Sequence, residues 1–459
     1  MTGKSELVQG LGLYGAASVA AGTMIGTAIF VVPGIMLQHV GTPLRVLGVW
    51  AIAGVLSLFG ALGYAELGAA LPQAGGEYVY LHRAYGPGMG FLYGWTQFIV
   101  AKTASIAAIA TGFLLYLAYF FPTLSHVLWS RPGLLAGHAF TLRLTGIQIG
   151  SAGLIVLISA LNVLGVRRSG TIQTTFTAAK LAVLAALIVL GLAFGHGSWS
   201  NFRSALPFHS GAGGMAGLGI ATISALWAYD GWNNLSMVAG EVENPQRNIP
   251  LALIGGGIVV LVVYLVVNVA YFHVLTPSAV AGTKTVAADA ARHLLGGAGG
   301  AFIAVGVLIS TFATLNGSIL AGSRIPYAQA RDRLFPQSLA AVHPRFHTPA
   351  AAIAAQAVIA GVMALSGGYE SLFTKAIYSE WVFYALVTAG ILVLRRKEPR
   401  LVRPYKTWGY PVTPIVFVAL AVLLLANAFV FQRADALWCL ALIASGIPAY
   451  FLWNSWTRA

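Results

Sequence analysis

Long apolar stretches, separated by short polar segments, follow one another along almost the whole chain. We distinguish twelve of them and predict that each forms a membrane-spanning helix. Crossing a ~30 Å hydrocarbon layer takes roughly 20 apolar residues, and several stretches exceed this length, which allows a tilted or interrupted helix. The predicted spans 1 to 12, in chain order, are about 9–40, 44–71, 86–121, 143–165, 170–195, 212–241, 249–276, 296–330, 349–366, 372–395, 411–432 and 435–456.

The composition agrees with a chain surrounded by lipid. Of its 459 residues, 58% are hydrophobic and 8% are charged, whereas a soluble domain carries about 25% charged residues. The net charge of +14 would also suit nucleic acid, but the basic residues are scattered over short loops without interleaved aromatic side chains. We therefore expect a lipid bilayer and no nucleic acid as a partner. Cys439 is the only cysteine, so no intrachain disulfide forms.

Lys and Arg are distributed unevenly between alternate loops. With the N-terminus inside the cell, the inner loops hold more basic residues than the outer loops. These inner residues include Lys4, Arg167, Arg168 and a dense group from Arg395 to Lys406. Because basic loops are retained on the cytoplasmic side, we predict that both termini are cytoplasmic.

Span 1 is interrupted by residues that weaken a helix. Residues 21–30 read AGTMIGTAIF, so Gly22 and Gly26 lie in the middle of the span. Each glycine costs a helix interior about 1 kcal/mol relative to alanine. Small residues also let membrane helices approach closely, so close packing is the alternative to a functional break.

Span 6 carries a second interruption, and this one is charged. The segment LWAYDGWNN places Asp230 before Gly231 in mid-span, between Trp227 and Trp232. A carboxylate inside the membrane is expensive and indicates a functional site; an internal pair or a cap on a broken helix is the alternative. Because spans 1 and 6 are five apart, the two breaks predict an inverted-repeat transporter with a site near the midplane.

A pair of broken helices suits a zwitterionic solute. Backbone groups freed in a break must line a cavity, because lipid cannot satisfy their hydrogen bonds. The start of a half-helix presents N–H groups and the positive end of the helix dipole, which favour a carboxylate. Carbonyl groups at the end of the preceding half-helix favour an ammonium. The two breaks therefore predict a receptor for a zwitterion.

These residues belong to a longer series of motifs that covers nearly the whole chain. In this order the chain resembles the amino acid–polyamine–organocation superfamily and, within it, the L-amino-acid-transporter branch. The motifs are AGTMIGTAIFVVPG, PQAGGEYVYLHRAYGP, LWAYDGWNN, GEVENPQRNIP, STFATLNGSILAGSRIPYAQARDRLFP, HPRFHTP and RPYKTWGYPVTP.

The resemblance implies an all-α membrane protein with 12 transmembrane helices. The implied fold is a five-plus-five inverted repeat of the leucine-transporter type, with helices 1 and 6 broken and two extra helices. Residues 1–459 would form a single transporter domain. Its parts would be repeat one at about 9–195, repeat two at about 212–395 and the extra helices at about 411–456.

The resemblance also implies where helix 1 meets the substrate. The positions that bind the substrate carboxylate in the family match Gly26, Thr27 and Ala28. Ala28 departs from the usual glycine, and its methyl group is expected to restrict substrate size. The carbonyl that meets the substrate ammonium matches Met24 or Ile25.

In helix 6 the implied substrate site comprises Trp227, which covers the substrate, its neighbour Ala228, Asp230 and the polar Asn233. An aspartate at the Asp230 position resembles both serine/threonine exchangers and relatives that accept cationic amino acids and cystine. An unpaired carboxylate would favour a cationic side chain, whereas one already bonded to backbone or asparagine would not. We expect neutral substrates.

Lys180 lies about ten residues into span 5. At ~1.5 Å per residue this is roughly 12–15 Å from the inner end of the helix, which is far for a side chain that reaches back to the interface. The resemblance implies that its ammonium approaches the break in helix 1, where sodium-coupled relatives of this fold bind a cation. We therefore predict sodium-independent transport; whether Lys180 also exchanges a proton stays open.

Three more residues are assigned to coupling or gating. Lys102, near the middle of span 3, is either a charge in a water-filled vestibule or a partner for Asp230. Trp232 flanks Asp230, and Asn316 is expected to supply a polar contact from helix 8.

The implied function is secondary active transport of L-amino acids. We expect a sodium-independent exchanger of small to medium neutral amino acids that works by alternating access. A proton-coupled symporter, or a transporter of cationic amino acids or polyamines, is the alternative. The chain has no HExxH motif, cysteine pair, nucleophile elbow or phosphate loop, so we expect no enzyme, no cofactor and no metal site.

Eukaryotic relatives of this branch join a heavy subunit through a cysteine between helices 3 and 4. Residues 122–142 contain no cysteine, so we expect no disulfide-linked subunit. The compact loops suit a bacterial cytoplasmic (inner) membrane protein, which we expect to be a monomer or a weak homo-oligomer.

Overall fold

The computed structural model describes residues 10–135, 138–164, 169–194, 197–206, 214–346 and 348–458. Lys4, Arg167 and Arg168, which enter the orientation prediction, lie outside the described residues. Helices dominate the described chain, and a two-stranded antiparallel hairpin of β1 (Val127–Leu135) and β2 (His138–Thr145) is the exception.

The described residues form nineteen α-helices, α1 to α19 in chain order. They are α1 (Leu13–Met24), α2 (Ala28–Val40), α3 (Pro43–Ala70), α4 (Glu77–Tyr85), α5 (Pro87–Thr96), α6 (Lys102–Leu117), α7 (Gly146–Val163), α8 (Ser169–Val189), α9 (Gly214–Tyr229), α10 (Asn234–Met237), α11 (Pro245–Val274), α12 (Pro277–Ala281), α13 (Val286–Gly322), α14 (Arg324–Arg331), α15 (Ala350–Ser366), α16 (Tyr369–Lys397), α17 (Val412–Phe431), α18 (Arg433–Ala444) and α19 (Gly446–Arg458).

The predicted all-α membrane fold is confirmed. Among the described residues, 10 helical segments are long and apolar enough to cross a membrane. Two shorter apolar helices, α9 and α15, lie at predicted spans 6 and 9. The total of twelve crossings, the single domain and its two repeats stay predictions.

The hairpin is a feature that the apolar pattern did not predict. It occupies the predicted loop after span 3, and β2 extends into the first residues of predicted span 4, so α7 begins only at Gly146. The strands are joined by hydrogen bonds between their own backbones, so they need no long apolar run. Thr145, at the end of β2, also caps α7 in a reciprocal pair with Gln148.

Both predicted helix breaks are present. In span 1, α1 ends at Met24 and α2 begins at Ala28. In span 6, α9 ends at Tyr229 and the four-residue α10 begins at Asn234. A further irregularity, a π-helical segment over Gln97–Ala101, immediately precedes α6; such wide turns often mark functional sites.

The helices form two packed groups around the breaks. We call α1, α2, α3, α9 and α11 the bundle, because α3 and α1 pack along α11 and α2 packs along α9. We call α6, α7, α13 and α15 the scaffold, because these four helices pack on one another. Helices α8 and α16 contact both groups, and α1, α2 and α10, which flank the two breaks, contact α13 of the scaffold.

Candidate functional site

A small cavity lies where the two helix breaks meet α6 and α13. It leaves ≈ 20 Å³ for the centre of a water-sized sphere, which is room for about one water molecule. Its walls combine backbone from both breaks with polar side chains. The lining residues are Thr23, Met24, Gly26, Thr27, Ala28, Lys102, Ser105, Ile109, Trp227, Asp230, Gly231, Asn234, Thr314 and Ser318.

The start of α2 presents free N–H groups at this cavity. Thr27 has no side-chain capping bond, and no hydrogen bond joins the N–H groups of Thr27, Ala28 or Ile29 to another described residue. Thr27 and Ala28 line the cavity. Unpaired N–H groups at a helix start attract anions, since they coincide with the positive end of the dipole. The geometry suits a carboxylate here.

The carbonyl groups freed at the end of α1 and α9 are partly occupied. Tyr264 on α11 donates its hydroxyl to Met24 O at 2.7 Å and lies 3.1 Å from Ala228 O. Ile25 O lies 3.4 Å from the hydroxyls of both Ser310 and Thr314. Each carbonyl oxygen has two lone pairs. Met24 O also accepts from Gly26 N–H at 2.7 Å and is therefore fully used, whereas Ile25 O has only long contacts and keeps acceptor capacity for an ammonium.

The two breaks contact each other at Gly231. Its φ of +114° is a conformation that side chains disfavour, and an added Cβ would lie 3.0 Å from the Thr23 carbonyl carbon. Thr23 donates its hydroxyl to Gly231 O at 2.7 Å. A glycine is therefore required here for both the turn and the close approach.

Asp230 lies in the break of helix 6 and faces the cavity. Tyr384 on α16 donates a hydrogen bond to Asp230 Oδ1 at 2.6 Å. The carboxylate is therefore partnered by a side chain from outside helix 6. The sequence analysis named backbone groups or an asparagine as possible partners of this carboxylate and did not identify Tyr384.

An aromatic group closes one side of the cavity. Trp227 stacks on Phe373, with ring centroids 5.9 Å apart, and donates Nε1–H to the Tyr369 hydroxyl at 3.0 Å. That hydroxyl also lies 3.2 Å from Thr27 Oγ1. Beyond Tyr369 lies a larger cavity of ≈ 520 Å³. The Trp227–Tyr369–Thr27 group therefore separates the central cavity from this outer cavity, which we call the vestibule.

Lys180 is buried against the end of α1, with 2% of its surface exposed. Its ammonium donates to Gly22 O at 2.8 Å and to Thr314 Oγ1 at 2.6 Å. It thus joins the bundle to α13 of the scaffold through a carbonyl next to the break. No described carboxylate lies within ion-pair distance of it.

Lys102 lines the cavity from the first residue of α6 and is also 2% exposed. Its ammonium donates to Asn234 Oδ1 at 2.5 Å. Among the described ion pairs none joins it to Asp230. Of the two interpretations of Lys102, the charge at a cavity wall agrees with this position, and the Asn234 side chain at the start of α10 accepts from the ammonium.

Next to the cavity lies a second buried polar layer around Glu77, the first residue of α4. Glu77 accepts hydrogen bonds from Tyr64 at 3.0 Å, from Asn233 Nδ2 at 3.2 Å and from Tyr93. Burial raises the pKa of the Glu77 carboxyl to about 7, although these three donors and the charge of Lys102 act to lower it. The layer closes the side of the cavity opposite to Trp227.

The predicted site residues fall into two groups. Those at the cavity wall are Met24, Gly26, Thr27, Ala28, Lys102, Trp227 and Asp230. The others are Ile25, Ala228, Lys180, Asn233, Trp232 and Asn316. The carbonyls of Ile25 and Ala228 accept the hydroxyl contacts described above. Lys180 donates to Gly22 O, and Asn233 donates to Glu77, in the layers next to the cavity. Trp232 packs on Tyr64, with ring centroids 4.5 Å apart.

Asn316 does not supply the expected contact from helix 8. Its side-chain oxygen accepts from Asn162 Nδ2 on α7 at 2.8 Å, inside the scaffold. The polar lining from this helix comes from Thr314 and Ser318. Since 316 is two residues from each of these positions, the helical turn points its side chain to another face.

Several polar residues near the site were missed from the sequence. Tyr264, Tyr369 and Tyr384 carry no local signal, because tyrosines are common in membrane helices. Glu380, one turn before Tyr384 on α16, is 1% exposed. The rule that identified Asp230, a carboxylate within a membrane span, would also have identified Glu380.

Among the described residues, no group of three or more His, Cys, Asp or Glu is arranged to hold a metal ion.

The chain is similar in sequence to known amino acid permeases. The sequence pattern of the family described as "Amino acid permease" matches residues 11–447. The human b(0,+)-type amino acid transporter 1 is 33% identical over 451 residues, covering 98% of this chain and 88% of the relative. The serine/threonine exchanger SteT of Bacillus subtilis (strain 168) is 30% identical over 453 residues, covering 98% of each chain. The human cystine/glutamate transporter is 31% identical over 456 residues, covering 99% of this chain and 87% of the relative.

Proposed function

The chain belongs to the amino acid permease family of the amino acid–polyamine–organocation superfamily, and from this premise we propose that it is a sodium-independent exchanger of small to medium neutral L-amino acids. Its family and relatives are multi-pass membrane transporters of amino acids and not enzymes. The specific substrates, the exchange mode and the roles of individual residues are the proposal.

The observation that carries the proposal is the pairing of free N–H groups with spare carbonyl capacity across one small cavity. The N–H groups of Thr27 and Ala28 would bind the α-carboxylate, and the carbonyls of Ile25 and Trp227 would bind the α-ammonium. Trp227 would cover the substrate. An α-amino acid fits this pattern because its carboxylate and ammonium are attached to the same carbon atom. The N–H groups and the carbonyls of the break are likewise only a few residues apart in the chain.

The contacts of Lys180 support independence from sodium. Its Nζ donates to Gly22 O and Thr314 Oγ1, so a lysine donor already occupies the oxygen atoms beside the break. A bound sodium ion would need the same oxygen atoms and would be repelled by the ammonium. Lys180 would thus supply structurally what sodium supplies in coupled relatives of this fold.

The hydrogen bond from Tyr384 supports neutral substrates. A carboxylate that already accepts a phenolic proton at 2.6 Å is weaker as a partner for a cationic side chain. The methyl of Ala28 at the cavity wall favours short side chains. The serine/threonine exchanger SteT is a relative over nearly its full length, which agrees with this choice.

Alternating access would follow from the two groups of helices. Rocking of the bundle against the scaffold would open the cavity toward the vestibule or toward the Glu77 layer. Closing contacts lie on both sides, Trp227–Tyr369 on one and Asn233–Glu77 on the other. Substrate bound at the breaks would be exposed to one side at a time.

Partners and location form part of the proposal. Cys439 is buried, and its sulfur lies 3.7 Å from Lys375 O, so we infer no disulfide-linked subunit and a monomer or weak homo-oligomer. A bacterial cytoplasmic membrane with both termini inside the cell agrees with the bacterial relative SteT and with the basic loops.

The test is uptake of labelled serine, alanine, leucine and arginine into proteoliposomes. Vesicles are either empty or loaded with unlabelled amino acid, and each is assayed with and without sodium. Serine and alanine uptake only into loaded vesicles, unchanged by sodium, is the expected result. Accumulation of substrate in empty vesicles under a proton gradient would contradict exchange and indicate proton symport. Uptake of arginine alone would contradict neutral substrates and indicate a transporter of cationic amino acids.

A further inference from the structure

A group of carboxyls beside the substrate cavity is not used by the proposed binding mode. Asp230 lies in the helix 6 break, and Glu380 lies on α16 one turn before Tyr384. Tyr384 Oη contacts both carboxyls, Asp230 Oδ1 at 2.6 Å and Glu380 Oε2 at a shorter distance. Glu380 is 1% exposed and does not line the cavity.

The hydrogen bonds in this group require one more proton than the tyrosine supplies. A phenol has a single hydrogen and can donate it to one carboxylate only. Two ionised carboxylates would therefore leave one of the two oxygen–oxygen contacts without a hydrogen. If Glu380 is protonated, it donates to Tyr384, and Tyr384 donates to Asp230. The chain of two bonds is then complete.

The environment of Glu380 also favours a neutral group. Its Oε1 atom has no hydrogen-bond partner and is buried. Its Oε2 atom accepts at 3.4 Å from Asn233 Nδ2, which also donates to Glu77. A buried carboxylate needs donors or a counter-charge, and no described ion pair includes Glu380.

Glu77 differs from Glu380 in its partners. Each of its three contacts comes from a donor with its own hydrogen: Tyr64, Tyr93 and Asn233. Its hydrogen bonds are complete without a proton on Glu77, so the pKa of about 7 follows from burial and not from a missing hydrogen. The charged and titratable groups facing Glu380 are Asp230 from the helix 6 break, Lys102 from α6, Glu77 from α4, Tyr64 from α3, Tyr93 from α5 and Tyr384 from α16.

The geometry points to a proton-binding site formed by Glu380, Tyr384 and Asp230 that sets the side-chain charge accepted by the substrate cavity. With the proton bound, the group carries one negative charge, which Lys102 at the cavity wall balances. The cavity then takes a neutral side chain. Without the proton, a second buried negative charge lacks a partner, and a cationic side chain in the cavity supplies it.

The proton moves without a net chemical change in the relay. Glu380 transfers its proton to the Tyr384 oxygen while the phenolic proton passes to Asp230, which releases it to water in the cavity. Tyr384 regains its starting form, and Glu380 becomes a carboxylate. An exchange of an external cationic amino acid for an internal neutral one therefore also carries one proton out, so that charge balances.

The inference rests on the proposed amino acid exchange, and its test separates the two. Alanine-loaded proteoliposomes are given labelled serine or labelled lysine at equal inner and outer pH between about 5.5 and 8.5. The lysine-to-serine uptake ratio is expected to rise with pH, by at most about tenfold per pH unit for one proton. No serine exchange at any pH would contradict the proposed function itself. Serine exchange with no lysine uptake, or with a constant ratio, would overturn only the inference.

Three variants assign the pH dependence to a residue. In Glu380→Gln the ratio is expected to stay at its low-pH value throughout, because the amide cannot release a proton. The matched control is Glu398→Gln at the end of the same helix, which breaks an outlying pair with Arg83 at 2.6 Å and should keep the wild-type pH profile. Glu77→Gln removes the neighbouring carboxyl, whose pKa burial raises to about 7, and shows which of the two carboxyls the pH profile follows. Loss of the dependence in Glu77→Gln, or its persistence in Glu380→Gln, overturns the assignment.

A measurement on the unaltered protein keeps the inference testable even if a variant misfolds. A pH-sensitive dye inside the vesicles reports proton movement. When external lysine exchanges for internal alanine, one proton should leave the vesicle per lysine taken up, so the internal pH should rise. External alanine exchanged for internal lysine should lower it, and serine–alanine exchange should leave it constant. Lysine–alanine exchange without proton movement would refute the site.

Discussion

Removal of the Lys180 ammonium tests the central claim about coupling. The perturbation is Lys180→Met, which keeps an unbranched apolar side chain along the buried path of the lysine but removes the donor. Gly22 O then loses its 2.8 Å partner and Thr314 Oγ1 its 2.6 Å partner. Lys180→Ala removes the donor and also leaves a cavity, so the methionine variant isolates the electrostatic part.

The size of the effect follows from these two bonds. A hydrogen bond to a charged group contributes about 1.5–3 kcal/mol. Loss of one such bond lowers the population of the intact break by roughly 10- to 150-fold, since about 1.4 kcal/mol is a factor of ten. We therefore expect exchange to fall at least tenfold in both variants while the helical fold is retained, because the lost contacts are confined to one junction of bundle and scaffold.

The assay is alanine–alanine exchange in proteoliposomes, with circular dichroism and thermal unfolding as measures of folding. Lys375→Met is the matched control, because Lys375 pairs with Asp435 at 3.3 Å, away from the breaks, and should exchange at the wild-type rate. Sodium at high concentration is expected to restore part of the exchange in Lys180→Ala by occupying the vacated oxygen atoms. Wild-type exchange by the folded Lys180→Met variant would refute the reasoning.

Three further outcomes are expected. Ala28→Gly removes the methyl beside the carboxylate position and should raise leucine uptake relative to alanine roughly tenfold, measured by competition. Tyr369→Phe removes the hydroxyl that joins Trp227 to Thr27. At about 1 kcal/mol per hydrogen bond, the initial rate of exchange should fall roughly tenfold, and the unfolding temperature is measured as the control for folding. Burial raises the pKa of Glu77 from 4.5 to about 7, so the folded state holds a proton that the unfolded state has lost. Thermal stability should therefore fall as pH rises from about 5 to 8, and Glu77→Gln should flatten this slope in thermal unfolding scans.

The breaks could be predicted from sequence because their signal is local. Gly22 and Gly26 weaken span 1 wherever it packs, and Asp230 beside Gly231 is costly in any membrane helix. Periodicity and length likewise locate the helices, since each must span the same hydrocarbon thickness. These inferences need no knowledge of neighbouring elements, which is why they agree with the structure.

The partners of the site residues could not be predicted in this way. Tyr384 is 154 residues from Asp230 and Tyr264 is 240 residues from Met24, so their contacts depend on how distant helices pack. Lys102 illustrates the consequence, because an attraction to Asp230 is plausible from charge alone but Asn234 occupies its ammonium. Asn316 was assigned to the wrong face for the same reason: the helical phase relative to the cavity depends on tertiary packing.

The contacts at the site connect substrate binding to movement of the helices. Thr314 on the scaffold reaches Gly22 through Lys180, and Tyr369 on α16 reaches Thr27 directly. A rocking motion of the bundle must stretch the Gly22–Lys180 and Thr27–Tyr369 bonds, because Gly22 and Thr27 belong to the bundle segment around the break and their partners lie outside it. A substrate bound to the same backbone groups adds contacts that the separated helices lack. Its differential binding to the closed arrangement can therefore shift the conformational equilibrium, so that movement between the two sides is favoured when the cavity is loaded, as exchange requires.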